Sequence, residues 1–222
     1  MFALRTLAIP RGGVLRILPL RGVSTLADNA DIYVHALDSG KKKHLLTLHS
    51  TSAPNPRLAL GTTTSLPPTP STFVENPAFL PLLQRVLREH ASKDPQVQAD
   101  ALGLANATAA PLFTDRARRR QGGSGGANYQ GGAGGGGVGG WVHVYDQRGV
   151  PAFGRIADTE DIFGSLLVDA HGQIVDKEVG GVWEESRMYR LVSGRGVMRL
   201  TPYLRDRVRE ALEAEEKRGS EA

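Results

Sequence analysis

Three carboxylates within four residues, Asp158, Glu160 and Asp161, are the densest set of groups in this chain that could do chemistry. Two carboxylates held close together push their pKa values apart, so that one can donate a proton and the other accept one. The same oxygens could bind a hard cation, with Asp158 and Asp161 as the candidate ligands. The spacing also has a purely structural meaning. Asp158-Thr-Glu-Asp161 resembles a helix N-terminal capping arrangement, with Asp161 where Glu or Gln is usual. It predicts a short helical turn ending near Gly164. Acids in a first helical turn complement the helix dipole without any catalysis. Because acidic first turns are common, the structural reading is preferred.

His143 and Asp146 make the second candidate, a general base and the carboxylate that would orient it. Alternation over Trp141–Tyr145 puts His143 and Tyr145 on one strand face, opposite Val142 and Val144. Arg148 crowds the strand's exit. No Gly-x-Ser-x-Gly elbow accompanies the pair, so a strand-face histidine bonded to a neighbour is preferred. The run Arg116, Arg118, Arg119 and Arg120 is a basic patch that could contact RNA or anionic lipid. It lacks the aromatic motif of an RNA-reading surface. Gly132-Ala-Gly134-Gly-Gly-Gly137 spells a dinucleotide fingerprint, but such a site needs a strand before it and a helix after it. Here the strand follows. With no cysteine, disulfides, thiolate metal sites and a cysteine nucleophile are excluded. No cofactor is predicted.

The elements that must position these groups read as α+β. Asp31–Leu37 and His44–His49 flank a polar turn with Gly40 and Lys41–Lys43 at its tip, the pattern of a hairpin. Arg57–Gly61 is a candidate third strand, and Thr62–Thr72, with three prolines, a loop. Asn76-Pro77 opens a helix with Phe79, Leu82, Leu83, Val86 and Leu87 along one face. Asp94-Pro95 starts a weaker helix to about Leu104. Further on, Ser165–Val175 and Met188–Leu200 read as hairpins. Thr201-Pro202 starts a terminal helix with Leu204, Val208, Ala211 and Leu212 as its buried stripe.

Twelve of the nineteen residues from Gly122 to Gly140 are glycine. Such a run loses too much backbone entropy to order itself and reads as a flexible linker. The expected organisation is two small lobes of short antiparallel strands with helices, residues 30–112 and 141–217. An Arg- and Gly-rich linker over residues 113–140 joins them.

Residues 1–23 read as a mitochondrial transit peptide. Arg5, Arg11, Arg16 and Arg21 sit among apolar residues, and no acid precedes Asp28. Arg21 predicts cleavage near Val23–Ser24. Without those four arginines the chain holds 23 residues of each sign, so the excess of basic charge belongs to the leader. A nucleic-acid binder is expected to carry a basic balance on its folded part, which this chain does not. No apolar run after the leader is long enough to span a bilayer.

Gly140-Trp-Val-His-Val-Tyr-Asp-Gln-Arg148, Gly154-Arg-Ile156 and Glu160-Asp-Ile-Phe-Gly-Ser165 together resemble an uncharacterised fungal mitochondrial protein family. The similarity extends through Tyr189-Arg-Leu-Val192 to the terminal helix. On the N-terminal side it takes in Ile32–Val34, Leu45–Leu48 and Glu75–Pro77. It implies a mitochondrial location and a shared fold, and carries no catalytic or binding residues.

The expected function is that of a non-catalytic matrix protein docking on a larger assembly, a mitochondrial ribosome or a respiratory complex under construction. A metal-assisted enzyme built on Asp158, Glu160 and Asp161 is the first alternative. An RNA-binding accessory protein using the basic patch is the second.

Overall fold

The computed structural model describes residues 24–38, 43–50, 54–109, 139–152 and 155–221. The leader, the arginines from 116 to 120 and the glycine tract up to residue 138 lie outside them. The fold is α+β, with three antiparallel sheets and three α-helices among the described residues. The N-terminal half makes a five-stranded meander from β1 (Ser24–Thr25), β2 (Tyr33–Asp38), β3 (Lys43–Thr47), β4 (Gly61–Thr63) and β5 (Phe73–Glu75). The C-terminal half makes a three-stranded sheet from β6 (Gly140–Tyr145), β7 (Ile162–Val168) and β8 (Trp183–Glu185). A small hairpin of β9 (Val192–Ser193) and β10 (Gly196–Val197) follows.

The strand that follows the first hairpin, β4, starts at Gly61, where the expected one ended. Arg57 and Leu58 lie in a turn. Close approach explains the shift. A Cβ on Gly61 would stand 2.2 Å from the Val74 carbonyl of β5, so only glycine lets these two strands meet. Gly164, expected to end a helical turn, instead lies inside β7. The helical piece before it is a single 3-10 turn, Thr159–Asp161. Residues 165–175 do turn back, but only Val168 and Ile174 pair there; β7 finds its longer partner in β8.

Asp94 and Thr201 cap their helices as expected, but the N-cap of the first helix is Ala78, which offers no side-chain acceptor, and Asn76 acts two residues earlier. Asn76 Oδ1 accepts the Ala78 N–H at 3.1 Å, and its amide donates to the Arg57 and Ala59 carbonyls. This pins the 56–59 turn to the start of α1 (Phe79–His90). Asp94 Oδ1 accepts the Gln96 N–H at 2.9 Å at the start of α2 (Pro95–Ala109). Thr201 Oγ accepts the Leu204 N–H at the start of α3 (Pro202–Glu221) and donates its own proton to Asp94. One chain of hydrogen bonds thus caps two helices and ties their starts together.

Both halves close on one core. Phe79, Leu83, Val86 and Leu87 of α1 meet Leu204, Val208 and Leu212 of α3, the stripes read from the sequence. Leu46 and Leu60 reach this core from the first half, and Val142, Val144, Phe163 and Leu166 from the second. Arg205 and Arg209 of α3 both pair with Asp31 at 3.2 Å, and Arg209 Nε donates to the Leu48 carbonyl. The last helix therefore clamps the first sheet. Among the described residues, no helix is long and apolar enough to cross a membrane.

Candidate functional site

The polar residues singled out by the sequence gather where β6 ends. Strand β6 alternates as expected, with Val142 and Val144 buried and His143 and Tyr145 half-buried on the other face. The chain then delivers Asp146 and Arg148 into the interior. Both are ionisable and both are removed from water, with 0% and 3% of the side chain exposed. Such burial is tolerable only if every polar atom finds a partner.

Arg148 finds five, one for each N–H of its guanidinium. Nε donates to Asp161 Oδ1 at 2.8 Å. Nη1 donates to the carbonyls of Leu191 and Gly196 at 2.9 and 3.1 Å. Nη2 donates to the carbonyls of Glu160 and Arg190. The group binds together the 3-10 turn, the segment entering β9 and the start of β10. The Tyr189 ring lies beneath it, 5.5 Å from centroid to guanidinium carbon, and packs in turn on Phe163.

Asp146 is equally occupied. Its Oδ1 accepts the backbone N–H groups of Arg148 and Arg199 at 3.0 and 2.9 Å, and its Oδ2 accepts the Tyr189 hydroxyl at 2.9 Å. Burial still raises its pKa above the ordinary aspartate value, outweighing the Arg148 charge and these donors. Burial and the adjacent Asp146 carboxylate push the Tyr189 hydroxyl well above its usual range, so it remains a donor.

Asp161 completes the network. Oδ1 takes the Arg148 Nε–H and the Ser193 hydroxyl. Oδ2 accepts no hydrogen bond, and Arg195 Nε stands 3.5 Å from it. Gly149 makes this placement possible, because a Cβ there would fall 2.3 Å from Asp161 Oδ2.

The three clustered acids therefore part company. Asp161 points inward to Arg148. Asp158 points outward, and its side chain caps no helical N–H; it pairs with Arg195 at 2.6 Å instead. Glu160 contributes its backbone carbonyl, and its residue is half-exposed at the surface. Among the described residues, no group of three or more His, Asp or Glu is placed to hold a metal ion.

His143 and Asp146 do not bond to each other. Asp146 has turned into the core, and His143 Nδ1 lies 2.8 Å from Ser165 Oγ across the β6–β7 ladder. The imidazole edge rests on Tyr145, whose hydroxyl burial and the charge of Asp100 push up to about 12. The residues that sequence reasoning missed are Tyr189, Ser193 and Arg195. Nothing local marks them, since their role comes from lying opposite Arg148 and Asp161 in space.

Burial holds His35, His90 and His143 below the ordinary imidazole value of 6.5. His35 donates from Nε2 to Thr47 Oγ at 2.9 Å, because the Thr47 proton is used on the His49 carbonyl. On acidification the unfolded chain takes up protons first and the folded chain resists. Stability is thus complete above pH 6.5 and falls as the pH drops towards the folded values. The slope is at most about 1.4 kcal/mol per pH unit for each histidine. Urea unfolding at about pH 7.5 and about pH 5.5 is expected to give the lower midpoint at the acid end. Equal midpoints would mean that these rings are hydrated.

No family model, curated protein or solved structure matches this chain.

Proposed function

We propose that the chain is a non-catalytic mitochondrial matrix protein that docks on a larger assembly, a mitochondrial ribosome or a respiratory complex under construction. One observation carries the reading. The side chains with the best claim to chemistry are spent on the fold itself: Asp161 and Asp146 around Arg148, Asp158 on Arg195, His143 on Ser165. A general base or a metal ligand needs a lone pair open to its target, and these carboxylates are aimed at cations and N–H groups of their own chain.

The address rests on the leader. Cleavage between Val23 and Ser24 would leave β1 whole, with Ser24 opposite Val34 and Thr25 opposite Tyr33. The decisive experiment is affinity purification of the tagged chain from mitochondria, followed by sedimentation and N-terminal sequencing. Co-migration with a megadalton particle and an N-terminus near Ser24 support the reading. A free small protein that binds a divalent metal would replace docking with the enzyme alternative. An intact Met1 would remove the matrix address.

A further inference from the structure

A groove of about 650 Å3 runs along the surface between the first turn of α1, the last turns of α3 and the 55–58 turn. Its floor is apolar, formed by Leu58, Ala78, Pro81 and Leu82. Its rim is basic: Arg57, Arg85 and Arg218 stand around a single acid, Glu215. Arg85 and Arg218 share that acid at 2.8 and 3.3 Å, so one carboxylate faces two guanidinium groups. Arg57 has no ion-pair partner among the described residues; its backbone, not its side chain, is bonded to Asn55 and Asn76. The groove therefore carries two positive charges in excess, on a chain whose charges balance as a whole once the leader is set aside.

We infer that this groove is the docking site for an acidic amphipathic segment of a partner protein, its apolar side chains on Leu58 and Leu82 and its carboxylates on Arg57 and Arg218. The inference rests on the docking reading and names the chemistry of what docks. Opposite charges around an apolar floor favour a segment with acids flanking apolar anchors, as in helix-in-groove recognition. A nucleic acid fits less well. No aromatic ring lines the groove to stack a base, and Glu215 would face the phosphates.

The test uses the full chain in mitochondrial extract. Arg57→Glu with Arg218→Glu reverses the rim and spares Arg85, which links α1 to α3. Both side chains are exposed, so the unfolding midpoint is expected to stay within error of the parent. Reversal sets like charges against the partner's acids and is expected to lower the particle-bound fraction at least about tenfold. Retained co-migration of this variant would overturn the groove while leaving docking intact. Failure of the parent chain to co-migrate would overturn docking itself, and the groove with it.

The absence of cysteine gives a second readout that does not depend on the charge variants. Ala78→Cys places a unique thiol on the groove floor for a photo-crosslinker, with Met188→Cys, outside the groove, as the control. The Ala78 adduct is expected to be a peptide with acids flanking apolar residues at helical spacing. Adducts to RNA or to a basic segment, or the same peptide captured from position 188, would overturn the proposal.

Discussion

Arg148→Met is expected to cost about 3–5 kcal/mol of stability, because it removes one partner of a buried ion pair and leaves the others behind. Methionine fills much of the space and carries no donor. Asp161 Oδ1 loses its 2.8 Å bond, and the carbonyls of Leu191, Gly196, Glu160 and Arg190 lose theirs. For a chain of this size the loss corresponds to a fall of roughly 6–20 °C in the thermal midpoint. Since an ordinary domain is stable by about 5–15 kcal/mol, the variant sits near the edge of folding. The deficit also has a signature in pH. Without the guanidinium, Asp146 loses the charge that opposes the effect of its burial, its pKa rises further, and it takes up a proton in the folded state before the unfolded one. Its contribution to stability then rises as the pH falls, so the gap to the parent chain is expected to narrow under acid. A variant with an unchanged midpoint at neutral pH would show that water reaches this network and screens it.

How far the sequence reveals this arrangement depends on the range over which each element is specified. The α1 face and the α3 stripe are legible because spacing, caps and burial lie within the element itself. Thr201 caps the start of α3, Asn76 turns the chain just ahead of α1, and the 3–4 spacing marks the buried side. Strand β6 is legible for the same reason, since six residues are enough to show alternation. Strands β1, β5 and β8 are two or three residues long, too short to show a period. They exist because a longer neighbour offers unpaired N–H and C=O groups, and that is a tertiary cause.

The candidate site is legible in its parts and not in its wiring. Asp158, Asp161, Asp146 and His143 are all where their polarity makes them conspicuous. Their partners lie far along the chain. Asp158 reaches Arg195 across 37 residues, and Arg148 reaches Gly196 across 48. Most of the acceptors around Arg148 are backbone carbonyls, which any residue could supply, so no residue type marks them. Local reading thus makes Asp158 a helix cap, because the nearest available donors in sequence are helical N–H groups. In the folded chain the Arg195 guanidinium comes closer and binds the carboxylate more strongly than a neutral N–H would. Gly149 is the one local clue: a glycine directly after Asp146-Gln-Arg148 leaves room for the Asp161 carboxylate to approach.

Asp161→Asn, Asp158→Asn and Glu160→Gln separate a structural acid cluster from a catalytic one, because each replacement keeps the shape and removes the charge. For Asp161 the expected cost is about 3–5 kcal/mol, the loss on breaking a buried ion pair from one side. The amide keeps an oxygen to accept from Arg148 and Ser193, but its NH2 then faces Arg195 Nε, where Oδ2 stood 3.5 Å away. Donor meets donor, and turning the amide over only moves the clash to Arg148. For Asp158 the cost is about 0–1 kcal/mol, since the pair with Arg195 is half in water and screened. Glu160→Gln leaves the carbonyl that Arg148 uses untouched, and its effect on the midpoint is expected to be the smallest of the three. The order Asp161, Asp158, Glu160 in denaturation midpoints is therefore the signature of a cluster whose work is to hold the fold. Catalytic or metal-binding carboxylates give the opposite result, because mutually repelling acids destabilise the chain that holds them and neutralising one relieves it. Complementation measured on the same three variants decides the matter. A chain that stays as stable as its parent with Asn at 161, and no longer supports function, would overturn the docking reading and install the enzyme in its place.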